Sequence, residues 1–60
     1  MWIARDKNGW LFIYEYEPIK SEEGWETTKG TYYPLPEEVY PEVQWTDNKA
    51  KQLVIKNYEL

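Results

Sequence analysis

Three kinds of residue in this chain could do chemistry: paired carboxylates, lysines close to glycine, and an unusually large set of aromatic rings. Histidine and cysteine are absent, so the commonest general base and the thiol nucleophile are both missing. A zinc site would have to be built from carboxylates alone, and no disulfide can form. Acid pairs stand at Glu15/Glu17, Glu22/Glu23 and Glu37/Glu38. On a strand, Glu15 and Glu17 would point the same way with Cβ atoms about 7 Å apart, a separation that glycosidases can use. Sixty residues do not readily enclose a sugar cleft, and clustered carboxylates are usually just solvated. The pair therefore reads as a strand edge, and the expectation is a non-enzymatic protein without a cofactor.

Asp6-Lys7-Asn8-Gly9 and Thr27-Thr28-Lys29-Gly30 place lysine near glycine without Walker A spacing. Backbone donors of such turns can hold a small anion. One ligand reading follows: a homo-oligomeric sponge that sequesters a small nucleotide between Trp or Tyr rings and Arg5 or Lys29. Ordinary hairpin turns explain the same residues more simply. The aromatics are the stronger signal. Eleven of the sixty residues are Trp, Tyr or Phe, and each can bury roughly 150–250 Å². Trp25 lies in a polar loop, and Tyr32, Tyr33, Tyr40 and Trp45 are more than one small core can hold. Trp, Tyr and Arg dominate interface hot spots, and an exposed aromatic patch marks a partner site. The candidate binding residues are thus Trp25, Tyr32, Tyr33, Tyr40 and Trp45, with Arg5 and Lys29. For Trp25 a second role stands beside this one, as a lid folded back over a thin core.

The element that must position these side chains is Trp10-Leu11-Phe12-Ile13-Tyr14-Glu15-Tyr16-Glu17, preceded by Asn8-Gly9 and closed by Pro18. With a period of two, Trp10, Phe12, Tyr14 and Tyr16 fall on one face and Leu11 and Ile13 on the other. Trp2-Ile3-Ala4-Arg5 reads as its hairpin partner. A two-residue loop would set Arg5 opposite Phe12. A three-residue loop with Gly9 in a bulge sets Ala4 opposite Phe12 and Trp2 opposite Tyr14. The second register gathers Trp2, Ala4, Trp10, Phe12 and Tyr14 on an aromatic face, with Ile3, Leu11 and Ile13 on an aliphatic one. A one-residue slip would scatter both sets, so the bulged loop is favoured.

Residues 18–24 read as a loop. Thr31-Tyr32-Tyr33-Pro34-Leu35 reads as a third strand, at an edge or ending at Pro34, which cannot donate to a ladder, and Trp25-Glu26-Thr27 as a short arm pairing back on it. Pro36-Glu37-Glu38-Val39-Tyr40-Pro41 has the start of one helical turn, ended by Pro41. Val43-Gln44-Trp45-Thr46 resumes alternation, with Val43 and Trp45 on one face. Residues 50–60 fit a strand or a helix, and the Leu53-Val54-Ile55 centre favours a strand. The fold expected is a mostly β single domain over 1–60: a small antiparallel meander of four to five strands with one short helical turn.

A domain this short is near the lower limit for independent folding and usually needs a staple or a partner subunit. Without cysteine, the choice lies between an aromatic-rich monomer and a homodimer, with the dimer favoured. Seven basic and eleven acidic residues give a net charge of −4. That argues against nucleic acid bound directly and against anionic membrane surfaces as partners. It is also too dilute for a stripe of Glu15, Glu17, Glu22, Glu23, Glu26, Glu37 and Glu38 to imitate duplex DNA. No signal-peptide pattern or membrane-length apolar run appears, so a cytoplasmic location is expected.

The opening WIARDKNGWLFIYEYEPIK, the lone Trp25, and the later LPEEVYPEVQWTDN together resemble a family of very small uncharacterised proteins, encoded mainly by phages and prophages of intestinal bacteria. The pattern W-x-A-R-D-x-x-G-x-L followed by P-x-x-L/V-x-P-E-V-x-W/F covers most of the chain. The terminal segment departs from it, being more basic and less regularly alternating. The resemblance implies a cytoplasmic phage-type accessory protein and supplies no substrate or mechanism. Joined to the aromatic signal, it leads to the expectation of a protein that binds a host protein, in one version inhibiting a bacterial defence or nuclease system. The alternatives are the nucleotide sponge and a minor phage structural or assembly component.

Overall fold

The computed structural model describes residues 1–53. It contains β1 (Trp2–Arg5), β2 (Leu11–Tyr14), β3 (Ile19–Lys20), β4 (Trp25–Glu26), β5 (Tyr32–Leu35) and β6 (Lys51–Gln52). One sheet has the order β5-β2-β1-β6, and β3 and β4 form a second, two-stranded one. Every pairing is antiparallel. The fold is therefore mostly antiparallel β, distributed over two sheets. β6 supplies the strand expected in the last segment as far as Gln52, while residues 54–60 lie outside the described residues.

The β1–β2 hairpin has the bulged register. Trp2 stands opposite Tyr14, Ile3 opposite Ile13 and Ala4 opposite Phe12. The loop is closed by bonds from the Asp6 amide to the Trp10 carbonyl (2.8 Å) and from the Gly9 amide to the Asp6 carbonyl (2.9 Å). Gly9 has φ 98°, a left-handed conformation that glycine adopts without steric cost. On the far side of β2, the Glu15 amide donates to the Thr31 carbonyl, which fixes the alternation along β5. Pro34, opposite Phe12, then has its nitrogen on the outward edge, where no ladder bond is lost.

Both faces of this sheet are covered by the chain itself. On one, Ile3, Leu11 and Val43 are buried, with Leu35 packed against them. On the other, Ala4, Tyr14, Trp25 and Ala50 are buried against Trp2, Phe12 and Trp45. Val43 and Trp45 were expected on one face, yet they cover opposite faces. The reason is local: Val43 and Asp47 each close a turn on the residue three before, at 3.0 Å. The Gln44 amide also bonds the Asp47 carboxylate (3.2 Å), so the chain turns at 44–47 and does not run on as a strand.

Two further expectations are corrected. Trp25-Glu26 does not pair with residues 31–35. It pairs with Ile19-Lys20, in a hairpin closed at Ser21, whose amide (2.8 Å) and Oγ (2.9 Å) both bond the Gly24 carbonyl. The helical turn at 36–41 is also absent, and no helix occurs among the described residues. Only one tight turn forms there, from the Val39 amide to the Pro36 carbonyl. Pro41 removes the next donor and disfavours the helical conformation at the residue before it. Tyr40 takes φ 55°, a left-handed conformation uncommon for a residue other than glycine.

The carbonyls of this strap turn instead to Arg5. Its Nε donates to the Val43 carbonyl (2.6 Å), Nη1 to those of Gly9 (2.9 Å) and Glu37 (3.0 Å), and Nη2 to those of Val39 and Tyr40 (both 3.1 Å). A guanidinium has five N–H donors in a fixed plane, and all of them are committed here. Lys20 plays a similar part on the other face, donating to the carbonyls of Trp45 (2.6 Å) and Asp47 (2.8 Å). Replacing Arg5 by Lys keeps the charge but removes the planar fork. Arg5→Lys is expected to lower stability by about 2–4 kcal/mol, through bonds to a charged donor worth about 1.5–3 kcal/mol each. Urea unfolding of the variant checks this, and an unchanged midpoint would refute the role given to the fork.

Candidate functional site

On the aromatic face, β2 contributes Phe12 and Tyr14, and β5 contributes Tyr32 across from Tyr14. Alternation sends all three rings to the same side. Tyr32 stacks on Tyr14 with centroids 5.8 Å apart and meets Phe12 edge-on at 5.8 Å. Trp10 continues the row, 6.3 Å from Phe12. The β3–β4 arm stands against these rings and brings Trp25, Glu26 and Thr27. Between arm and sheet lies an open cleft of about 450 Å³, lined by Asp6, Phe12, Tyr14, Trp25, Glu26, Thr27 and Tyr32. That volume is in the range of small-ligand and side-chain pockets.

Trp25 is held firmly. The Arg5 carbonyl points away from β2, beyond the reach of β6, which pairs only with Trp2 and Ile3. The Trp25 indole N–H satisfies it at 2.9 Å, as a buried carbonyl requires. Trp45 packs edge-on against Trp25 at 6.4 Å, and Lys20 Nζ lies 4.3 Å from the Trp45 ring centroid and 5.7 Å from that of Trp25. The arm is tied to the hairpin loop by the Lys7 amide and the Glu23 carbonyl (3.2 Å).

Asp6 is the polar residue that the sequence reading treated only as a turn former. Its Oδ1 is buried and accepts no hydrogen bond. It lies so close to Gly24 that a Cβ there would come within 3.1 Å, so glycine at 24 lets the arm approach the carboxylate. Burial pushes the Asp6 carboxyl above its ordinary value, against the opposing pull of the Trp25 backbone amide. Burial, followed by the charge of Asp6 and the neighbouring Tyr32, pushes the Tyr14 phenol up to about 12.

The proposed binding residues are thus distributed unevenly. Trp25 and Tyr32 meet in the cleft, and Trp45 backs Trp25 without lining it. Tyr33 projects from the opposite face beside Met1 and Ile13, and Tyr40 belongs to the strap. Trp25 is a lid, 9% exposed, whereas Tyr32 and Tyr33 are 54% and 61% exposed. Arg5 is engaged by the strap, so its guanidinium offers no free donor to a ligand. Lys29 sits at the other end of β2, with Nζ 4.5 Å from the Tyr16 ring centroid. Arg5 and Lys29 therefore form no shared anion site, and neither lines the cleft. Nor do Glu15 and Glu17 form a strand pair, because β2 ends at Tyr14. Glu15 Oε1 instead accepts the Thr31 amide at 3.1 Å.

Comparison with protein-family models, curated proteins and solved structures gave no match. Among the described residues, no cluster of carboxylates could hold a metal ion, and no helix is long and apolar enough to cross a membrane. The cleft offers π faces, one buried carboxylate and an acidic rim. This arrangement can hold a group by stacking and charge.

Two outcomes follow. Trp25→Phe keeps a ring but leaves the Arg5 carbonyl without its donor, so a loss of about 1–3 kcal/mol is expected in thermal or urea unfolding. Trp25→Ala removes the lid itself and should cost about 3–5 kcal/mol. For Tyr14, the folded phenol keeps a proton that the unfolded one releases above its ordinary value of 10.0. Stability should thus fall as pH rises from 10 to about 12. Alkaline titration of tyrosine absorbance should show a late phase that Tyr14→Phe abolishes, and a wild-type titration without that phase would contradict the burial of this phenol.

Proposed function

We propose that the protein is a non-catalytic binding module, a phage-type accessory protein that engages a host protein through the aromatic face of its sheet. The observation that carries the reading is the exposed ring row beside the cleft. Trp10 and Tyr32 are each 54% exposed on that face, flanking the half-buried Phe12. A domain this small has every reason to bury such rings, and their exposure side by side is typical of recognition surfaces. The phage-type assignment, the host cytoplasm as its location and the inhibition of a defence or nuclease system rest on the sequence resemblance. A nucleotide sponge is disfavoured, because the cleft that could stack a base has carboxylates where phosphates would need cations.

The test separates docking from folding. Trp10→Ala and Tyr32→Ala remove exposed rings and should leave the melting temperature within a few degrees of the wild type. Each should weaken capture of the partner from host lysate at least about tenfold, as hot-spot truncations do. Equal capture by both variants would overturn the assignment of this face. If light scattering shows a dimer that both variants dissociate, the face serves a second copy of the chain, and the host-protein reading fails.

A further inference from the structure

We propose that the cleft lined by Phe12, Tyr14, Trp25 and Tyr32 receives a cationic side chain, arginine or lysine, from a basic segment of the partner. This deepens the reading above and rests on it.

Four aromatic rings bound the space, and an aromatic face attracts a cation through its quadrupole. Among the described residues, Asp6 and Glu26 are the charged ones that line the cleft, and both are acidic. Asp6 brings its carboxylate to the wall of the cleft from the hairpin loop, with Oδ1 itself buried against Gly24. Among the described residues, three cationic side chains that could have served this cleft are committed elsewhere. Arg5 holds the strap carbonyls, Lys20 holds Trp45 and Asp47, and Lys29 lies over Tyr16. Among the described residues no cation lines the cleft, and a net charge of −4 draws basic partners toward it. A guanidinium or ammonium group on a side chain combines a charged tip with an alkyl stem. The rings of Phe12 and Tyr32 can cover the stem while Asp6 and Glu26 face the tip.

The experiment uses the full chain, labelled with nitrogen-15, and four blocked tripeptides: Gly-Arg-Gly, Gly-Lys-Gly, and their neutral counterparts carrying citrulline and norleucine. Citrulline keeps the shape of arginine and removes its charge. The arginine and lysine peptides should shift the Trp25 indole N–H and the amides of residues 12, 14, 26 and 32. The neutral peptides should bind at least about fivefold more weakly. Tyr32→Ala and Glu26→Gln alter exposed positions of the cleft, and each should weaken the cationic peptides by about threefold or more with a well-dispersed spectrum retained. Equal binding of citrulline and arginine peptides, shifts confined to other surfaces, variants that bind as the wild type does, or no shift at about 10 mM peptide would each overturn the proposal. Trp10 lies outside the cleft and separates the two levels. If the cationic peptides fail while Trp10→Ala still abolishes partner capture, the cleft assignment falls and the docking face stands. If the peptides bind while Trp10→Ala and Tyr32→Ala leave capture unchanged, the cleft takes cations and the docking face falls.

Discussion

Arg5 joins the two sides of this molecule. Its side chain, on the aliphatic face, gathers five carbonyls from the hairpin loop and the 37–43 strap. Its own carbonyl, on the β6 side of the strand, anchors the Trp25 indole. A chain with room for a helix would satisfy those strap carbonyls internally. This one has prolines at 36 and 41 and no helix to offer, so an irregular segment must lie over the sheet with its acceptors directed at one planar cation. Only then can Val43 press against Ile3 and Leu11. Lys20 repeats the solution on the aromatic side, with Trp45 and Asp47 as its acceptors. Cations bound to backbone thus do the work that disulfides do in other domains of this size, and the acidic side chains are left largely to the surface.

The parts of this arrangement that could be read from the sequence are those governed by neighbours. Turn chemistry at Asp6–Gly9 and alternation along residues 2–5 and 10–14 determine register and faces together, because a slip of one residue would undo both. Pro34 points to an edge strand or a strand end for an equally local reason, and the pairing through Leu35 makes it the edge. The strap could not be read this way. Pro36 followed by Glu37 and Glu38 carries the signature of a helix start, but Pro41 stops it, and the carbonyl left free at Glu37 goes to an arginine thirty-two residues earlier, a pairing with no pattern in sequence. The same holds for Val43 and Trp45, whose alternation is real in composition but is broken by the Gln44–Asp47 turn. The site is legible in half: Trp25 stands out as an aromatic in polar surroundings, and Tyr32 as one of more rings than a small core can hold. Phe12 and Tyr14 were placed on the right face but read as core, and Asp6 was absorbed by its role in the turn.

Core and cleft share material. Tyr14 and Trp25 are buried among Ala4 and Ala50 and also line the cleft. A substitution there alters stability and surface chemistry together, so the two effects cannot be told apart at those positions. Trp10 and Tyr32 have no such double duty. They are held by ring contacts along one face and little else, which makes them the positions where recognition can change while the fold is kept.

The outward nitrogen of Pro34 has a further consequence for how this chain behaves in a crowd. Strands rich in Trp, Tyr, Phe and Ile are good templates for open-ended cross-β stacking, and the usual point of attack is an unpaired row of amides. On β5 that row is interrupted at its centre by an imino acid, so an incoming strand finds no continuous ladder to extend. Growth into fibres is hindered along that rim, even though the adjacent face displays bare rings. A sticky aromatic face beside that rim therefore favours discrete contacts over extension of the sheet from β5.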